Sequence, residues 1–279
     1  MTDPYSQAAR QTQDYYNSAD ADRFYSTMWR GTEDLHIGIF ERADDSIERA
    51  NRRTVERMAE LAGDLGPDTP VIDLGAGYGG TARYLAHTYG SPTTCLNISE
   101  RQNAINRRIN HERGLAHLIT VLDGSYEQIP AAEESFAVAW SQDAILHSSN
   151  RRQVLAEAYR VLQAGGLFIF TDPMQSNDCP PEKLQPIYDR VNLDSLGSVE
   201  FYQDTARELG FRETRFVDYS AHLAPTYRHV HDDLQAQYQA LVADNVSAEY
   251  LDRMLVGLRH WIEGGEQGYL RWGILLLHK

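Results

Sequence analysis

Asp143 and His147 stand four residues apart in the segment QDAILH. A carboxylate and an imidazole can orient and move a proton near neutral pH. One helical turn would put both on the same side of the chain. A helix cap or a satisfied core position would also explain the histidine. A second segment, residues 71–80, reads VIDLGAGYGG, an apolar run with one acid followed by glycine at 75, 77, 79 and 80. Val71, Ile72 and Leu74 suit a buried strand. Gly75 and Gly77 open backbone conformations closed to other residues, while Gly79 and Gly80 let a following helix pack close. Such a loop serves a dinucleotide, a phosphate or an adenosyl group, and an ordinary strand-to-helix turn would look similar.

These residues need elements to hold them, and the patterning supplies an alternation. Residues 10–30 read as a helix rich in aromatics (Tyr15, Tyr16, Phe24, Tyr25, Trp29), and 44–63 as a second helix. From there strands at 71–74, 93–98, 118–122, 136–141 and 167–171 alternate with helices at 81–88, 100–113 and 151–162. The last of these helices is expected to stop at Gly165-Gly166. Alternation of this kind predicts an α/β fold with a parallel, doubly wound sheet. The tail breaks the rhythm. It reads as a helix at 200–209, a strand at 211–219, a polar helical insert over 226–264, and a final strand in RWGILLLHK. A strand that returns after so long an excursion is expected to lie antiparallel at the sheet edge.

Composition narrows the class. The chain has 279 residues with 42% hydrophobic content and a formal net charge of −14. That length suits one domain with a sizeable core, and the negative charge opposes binding to nucleic acid or anionic membrane. No run of about 18 apolar residues suggests a membrane span. The polar N-terminal residues show no secretory or transit pattern, so cytoplasmic residence is the expectation. Lysine occurs only at Lys183 and Lys279. An acidic surface poor in lysine suits a salt-rich interior, where charge is screened, although codon bias would produce it too. Cys95 and Cys179 are the only cysteines, so neither a disulfide framework nor a metal site is expected.

In open parallel sheets ligands bind beyond the carboxyl ends of the strands. The 75–80 loop, Asn97-Ile98, Asp123-Gly124 and Gln142-Asp143 all fall at such ends. A nicotinamide site prefers an acid at the end of the second strand, where this chain has neutral Asn97. Asp73 at the first tip would repel a pyrophosphate but favour a sulfonium. Asn97 can bond ribose hydroxyls. Asp123 can accept from an adenine amino group, with Gly124 and Ser125 leaving room for the ring.

At this point the chain resembles the class I S-adenosylmethionine-dependent methyltransferases. Within them it is similar to small-molecule N-methyltransferases acting on sarcosine, dimethylglycine and phosphoethanolamine, most of all the sarcosine and dimethylglycine branch. VIDLGAGYGG, CLNISERQ (95–102), VLDGSYEQIP, WSQDAILH (140–147), EAYRVLQAGGLFIFTDPM (157–174) and FYSTMWRGTEDLHIG (24–38) carry the resemblance. It implies a mostly parallel seven-stranded sheet with an antiparallel last strand, N-terminal helices and a helical lid insert. The expected division is a cap over 1–63, a cofactor core over 64–172, an acceptor side with sixth strand and lid over 173–264, and a final strand over 265–279, all in one domain.

The resemblance also implies S-adenosylmethionine as cofactor. Its expected contacts are Asp73, Gly75, Ala76, Gly77, Asn97, Ile98, Gln102, Asp123, Gly124, Ser125 and Gln142, with Tyr25, Trp29 and His36 from the closing N-terminal segment. Methyl transfer to nitrogen needs a free lone pair, so His147 is expected to take or relay the amine proton while Asp143 orients it. Tyr25, Gln142, His147, Tyr188 and Tyr202 are the expected acceptor contacts, since aromatic faces suit a quaternary ammonium. The acceptor carboxylate needs a donor, for which the sequence singles out no arginine, Arg190 and Arg228 included. Phosphoethanolamine relatives commonly carry arginine where this chain has Gln142, which argues against a phosphate-bearing acceptor. The expected partner is therefore a small-molecule amine, met by a monomer or homodimer. A larger acceptor such as phosphoethanolamine or a prenylated ring, a silent adenosyl-binding module, and a nicotinamide dehydrogenase are the alternatives.

Overall fold

The computed structural model describes residues 6–18, 34, 36–42, 44–191 and 195–279. Helix α1 (Gln7–Asn17) and helix α2 (Ile47–Ala62) precede the sheet. Each starts at a serine, Ser6 or Ser46, whose hydroxyl accepts a first-turn backbone N–H and so satisfies one of the donors a helix start leaves open. The alternation follows: β1 (Val71–Leu74), α3 (Gly80–Tyr89), β2 (Thr93–Asn97), α4 (Glu100–Glu112), β3 (Ile119–Asp123), β4 (Phe136–Gln142), α5 (Arg151–Val161) and β5 (Leu162–Thr171). A short strand β6 (Met174–Gln175), α6 (Pro181–Val191), α7 (Val199–Leu209) and β7 (Glu213–Asp218) lead to the insert. The insert is a helical hairpin, α8 (Leu223–Ala243) and α9 (Ala248–Glu266), and the described chain closes with β8 (Leu270–Arg271) and β9 (Gly273–His278).

Among the described residues the main sheet has seven strands in the order β3-β2-β1-β4-β5-β9-β7. β1 to β5 run parallel, and β9 is antiparallel to both neighbours. The last strand is therefore inside the sheet, with β7 at the edge, and not at the edge as the sequence suggests. A strand reading GILLLH, apolar but for its terminal His278, is buried on both faces over Gly273–Leu277 and gains most between two partners, whereas β7 mixes exposed and half-buried residues.

The helix expected over 151–162 ends one residue earlier. Leu162 is already extended, and Gly165-Gly166 lies within β5 rather than at a helix stop. The glycines instead accompany a register shift opposite Phe136 and Val138, where a Cβ on Gly166 would meet the Ala137 carbonyl at 2.9 Å. The pair of β6 and β8 is too short to carry a sequence pattern.

The sheet is covered on both faces. Ile72, Leu74, Ala139, Phe168 and Phe170 pack with α5 and α7 residues such as Val154, Leu155 and Ala206. Val71, Val138, Trp140 and Ile169 pack with Val55, Met58 and Leu85 from α2 and α3. Burial of each large apolar side chain contributes about 1.5–3 kcal/mol, so this double covering fixes the strand tips as a rigid platform. The order reverses between β1 and β4, and the crevice opens there.

Candidate active site

The crevice above the tips of β1, β2 and β4 is a cleft of about 940 Å³, counting its open mouth. Its floor is the glycine loop. Gly75 has φ +82°, and a Cβ there would lie 2.5 Å from the Ala144 Cβ. The loop after β1 thus packs directly on the turn after β4. The N–H groups of Gly75 and Ala76 both bond the Leu96 carbonyl, at 2.8 and 3.2 Å. Behind the loop Arg83 is buried, bonding the Tyr78 carbonyl at 2.5 Å and Asn106 and Asn110 at 2.9 and 2.8 Å.

Asp73, Gly75, Ala76, Gly77, Asn97, Ile98, Gln102, Gly124, Ser125, Gln142 and His36, all expected from the sequence, line this cleft. Asn97 donates to Gln102 Oε1 at 3.0 Å, which locks the β2 tip to the start of α4. Asp123 departs from expectation. It is not among the lining residues, and its oxygens accept from Asn103 at 2.8 Å and Arg107 at 2.5 Å. Gly124 and Ser125 carry the wall there without it. Tyr25 and Trp29 lie outside the described residues.

Asp143 and His147 both line the cleft, yet no helical turn joins them as the spacing suggests. Asp143 takes a left-handed backbone (φ +49°), and a 3-10 turn over Ile145–His147 follows it. A left-handed non-glycine residue costs roughly 1–2 kcal/mol and persists where its surroundings hold it. Here they do: Asp143 Oδ2 accepts from the Ile37 backbone N–H at 2.6 Å and Oδ1 from Trp272 Nε1 at 2.8 Å. Burial pushes its carboxyl above the usual range, against His36 and these two donors, which pull it down. Asp143 therefore ties the segment before α2 and Trp272, just ahead of β9, to the β4 tip.

His147 meets a residue that the sequence pattern did not mark. Its Nε2 lies 3.3 Å from the hydroxyl of Tyr16, with the rings edge to face at 5.8 Å between centroids. Tyr16 belongs to α1, which roofs the cleft with Ala9 and Thr12. Gln13 bonds the Ile98 carbonyl at 3.1 Å, Asn17 accepts from Ser99 at 2.7 Å, and the Tyr15 hydroxyl meets that of Tyr250 on α9 at 3.1 Å. One helix thus spans the cofactor-side tips and the helical hairpin. The only sequence signal for it was the run of aromatics.

Tyr188 and Tyr202, expected to touch the acceptor, do not line the cleft. The Tyr188 hydroxyl donates to Gln175 Oε1 at 3.0 Å, with its ring in a cluster with Leu184 and Trp261. Tyr202 is fully buried, and its hydroxyl donates to Asp172 at 2.6 Å. Arg228 pairs with Glu266 on the exposed face of the hairpin. Among the described lining residues there is no arginine or lysine.

Two unmatched groups indicate what the cleft takes. Asp73 is buried, and burial first, then the charge of Asp34, pushes its carboxyl up to about 7. A buried acid at a cavity wall favours a cation. Gln142 Oε1 accepts from Thr81 Oγ1 at 2.6 Å and from Trp140 Nε1 at 2.9 Å, which fixes the orientation of the amide. Its Nε2 is buried without a partner, a donor awaiting an acceptor. A ligand with both a positive centre and an oxygen acceptor answers both needs, and S-adenosylmethionine carries each.

Comparison with known proteins decides the family. A methyltransferase domain family matches residues 72–170. The sarcosine/dimethylglycine N-methyltransferase of Halorhodospira halochloris is 50% identical over 98% of this chain and 97% of its own length. The enzyme of the same description from Aphanothece halophytica is 51% identical, covering 97% of each chain. The chain belongs to the sarcosine/dimethylglycine N-methyltransferase family. A crystal structure of a candidate sarcosine dimethylglycine methyltransferase from Galdieria sulphuraria superposes with a TM-score of 0.89 at 39% identity, over 95% of this chain and 98% of that one. As a member of this family the chain is a class I methyltransferase, and S-adenosylmethionine is its cofactor.

Proposed function

We propose that the chain methylates the nitrogen of sarcosine and of dimethylglycine, with glycine betaine as the end product. Near-full-length identity of about half to enzymes of that description supports the acceptor. The Tyr16–His147 contact supports the chemistry and is the observation that carries the reading. An alkylamine has a pKa of roughly 10, by analogy with lysine, so at neutral pH it is protonated and holds no lone pair. The enzyme must bind the rare neutral form or remove that proton, and His147 is placed to remove it. His147 faces the cleft with Nε2 beside the Tyr16 phenol, and its imidazole takes the proton from the amine. General base help of this kind contributes typically 10²–10⁴-fold.

When bound, S-adenosylmethionine supplies the electrophilic methyl of its sulfonium. The chain's own residues position the partners. Asp73 faces positive charge, Gln142 Nε2 donates to a carboxylate, and Asn97 with Gln102 flanks the ribose end. Asp143 holds Ile37 and Trp272 so that the acceptor side closes against the β4 tip. The Tyr16 ring offers an aromatic face to the ammonium, a contact worth about 0.5–2 kcal/mol. Alignment within ~3–3.5 Å of the reacting atoms supplies much of the barrier reduction.

Residues 64–172 then serve as the cofactor core, with 1–63 and 173–264 closing over the acceptor. The net charge of −14 supports a small-molecule partner rather than nucleic acid or an anionic membrane. No described helix is long and apolar enough to cross a membrane. We place the enzyme in the cytoplasm as a monomer or homodimer. Incubation with methyl-labelled S-adenosylmethionine and glycine, sarcosine, dimethylglycine or phosphoethanolamine tests the acceptor. Label is expected in dimethylglycine and betaine. Transfer only to phosphoethanolamine would refute it.

A further inference from the structure

Leu146 immediately precedes His147, and both of its backbone groups are held by charged side chains. Its N–H donates to Asp172 Oδ1 at 2.8 Å, and its carbonyl accepts from Arg151 Nη2 at 3.2 Å. Asp172 follows β5, and Arg151 opens α5. Asp172 is fully buried, Arg151 nearly so. We propose that Asp172, Arg151 and Tyr202 are positioning residues that fix the turn carrying His147 and tie it to segment 195–197.

The argument begins with cost. Removing a carboxylate and a guanidinium from water carries a penalty of several kcal/mol per ion, and an apolar pair of similar volume is often as stable. What the charged pair provides here is direction. The two side chains grip the peptide units on either side of one residue, so the turn can neither slide nor rotate without stranding a buried donor or acceptor. The same groups reach the acceptor side. Arg151 Nη2 also bonds the Ser195 carbonyl at 2.6 Å. The Tyr202 hydroxyl completes Asp172 at 2.6 Å, and a Cβ on Gly197 would lie 2.6 Å from the Tyr202 ring. Segment 195–197 therefore rests against Arg151, which holds the turn, and Tyr202, which holds Asp172. None of the three side chains lines the cleft, so each acts through His147 rather than on the ligands.

The inference rests on the role given to His147 above, and two readouts separate them. Asp172→Asn is expected to lower kcat by about 10- to 100-fold, since small displacements of a reacting group cost that much. Affinity for S-adenosylhomocysteine should stay within about twofold. In a His147→Ala background the same substitution should cost nothing further. Independently of turnover, the imidazole NMR resonances of His147, assigned by their loss in His147→Ala, should move in Asp172→Asn. Tyr202→Phe removes one donor and no charge, and carries the same test with a smaller shift if Asp172→Asn does not fold. Unmoved His147 resonances, or an equal loss of kcat without His147, would overturn the clasp. Full activity of His147→Ala together with moved resonances would overturn only the proton role and leave the clasp standing.

Discussion

The two walls of the cleft are built in different ways. The wall at β1, β2 and the segment after β3 is made of strand tips and the short loops that follow them, so each contact residue sits within a few positions of an apolar run. The wall around His147 is assembled from five distant pieces: α1, the segment near Ile37, the β4 tip, α5 and Trp272 before β9. The first wall is set by local backbone geometry, the second by side chains that meet only when the fold is complete. Damage to the first should therefore appear as lost cofactor affinity, and damage to the second as lost turnover.

The largest effect expected from this division is at His147. His147→Ala should lower kcat by about 10²–10⁴-fold while calorimetric affinity for S-adenosylhomocysteine stays nearly constant. Near-normal turnover across pH would remove the base from the mechanism, and equal losses in binding and turnover would merge the two walls.

A smaller loss is expected at Gly75, where the walls touch. Gly75→Ala forces a Cβ toward Ala144 at 2.5 Å from a left-handed backbone. Strain of this kind costs of order 1–3 kcal/mol, so cofactor affinity should fall about 5- to 100-fold, with turnover at saturation falling less. Unchanged binding would show that the loop yields more readily than its packing suggests.

The subtlest test is the pH dependence of Asp73, pushed up to about 7. Its folded pKa lies above the ordinary carboxylate value of 3.8, so this group's contribution to the stability of the empty protein is full at low pH and is lost as pH rises from about 4 through 7. A cationic ligand binds the ionised form, so its affinity should rise by up to tenfold per pH unit below about 7 and level off above. Asp172 is also pushed up to about 7, so the comparison must be made against Asp73→Asn. That variant should flatten the slope for S-adenosylmethionine. A slope that survives it would assign the titration to another group.

The difference between the walls also explains what could be read in advance. Val71, Ile72 and Leu74 followed by a glycine loop announce a strand tip, because period and turn chemistry are local. The first wall was legible for that reason, Asp123 excepted. Its carboxylate was drawn away by Asn103 and Arg107, one turn apart on α4, and no pattern in the chain reveals that competition. On the second wall the identity of Asp143 and His147 was legible, but their geometry was not. A helical turn was expected where a left-handed residue and a 3-10 turn stand. Tyr188 and Tyr202 had the right chemistry and the wrong address, since aromatic residues serve a core as readily as a site. Tyr16 was the reverse, an unmarked member of an aromatic run that meets His147 across 131 positions.

The sequence by itself determined the alternating elements, the glycine loop, the acid at the first strand tip and the family those motifs resemble. These depend on interactions within a few residues, which composition and spacing encode directly. Only the tertiary structure decided that β9 inserts between β5 and β7, that α1 roofs the cleft, and that Tyr16, His147, Asp172 and Arg151 form one connected arrangement. Those choices follow from which surfaces bury best against each other and which buried polar groups find partners, and both are settled by the whole chain at once.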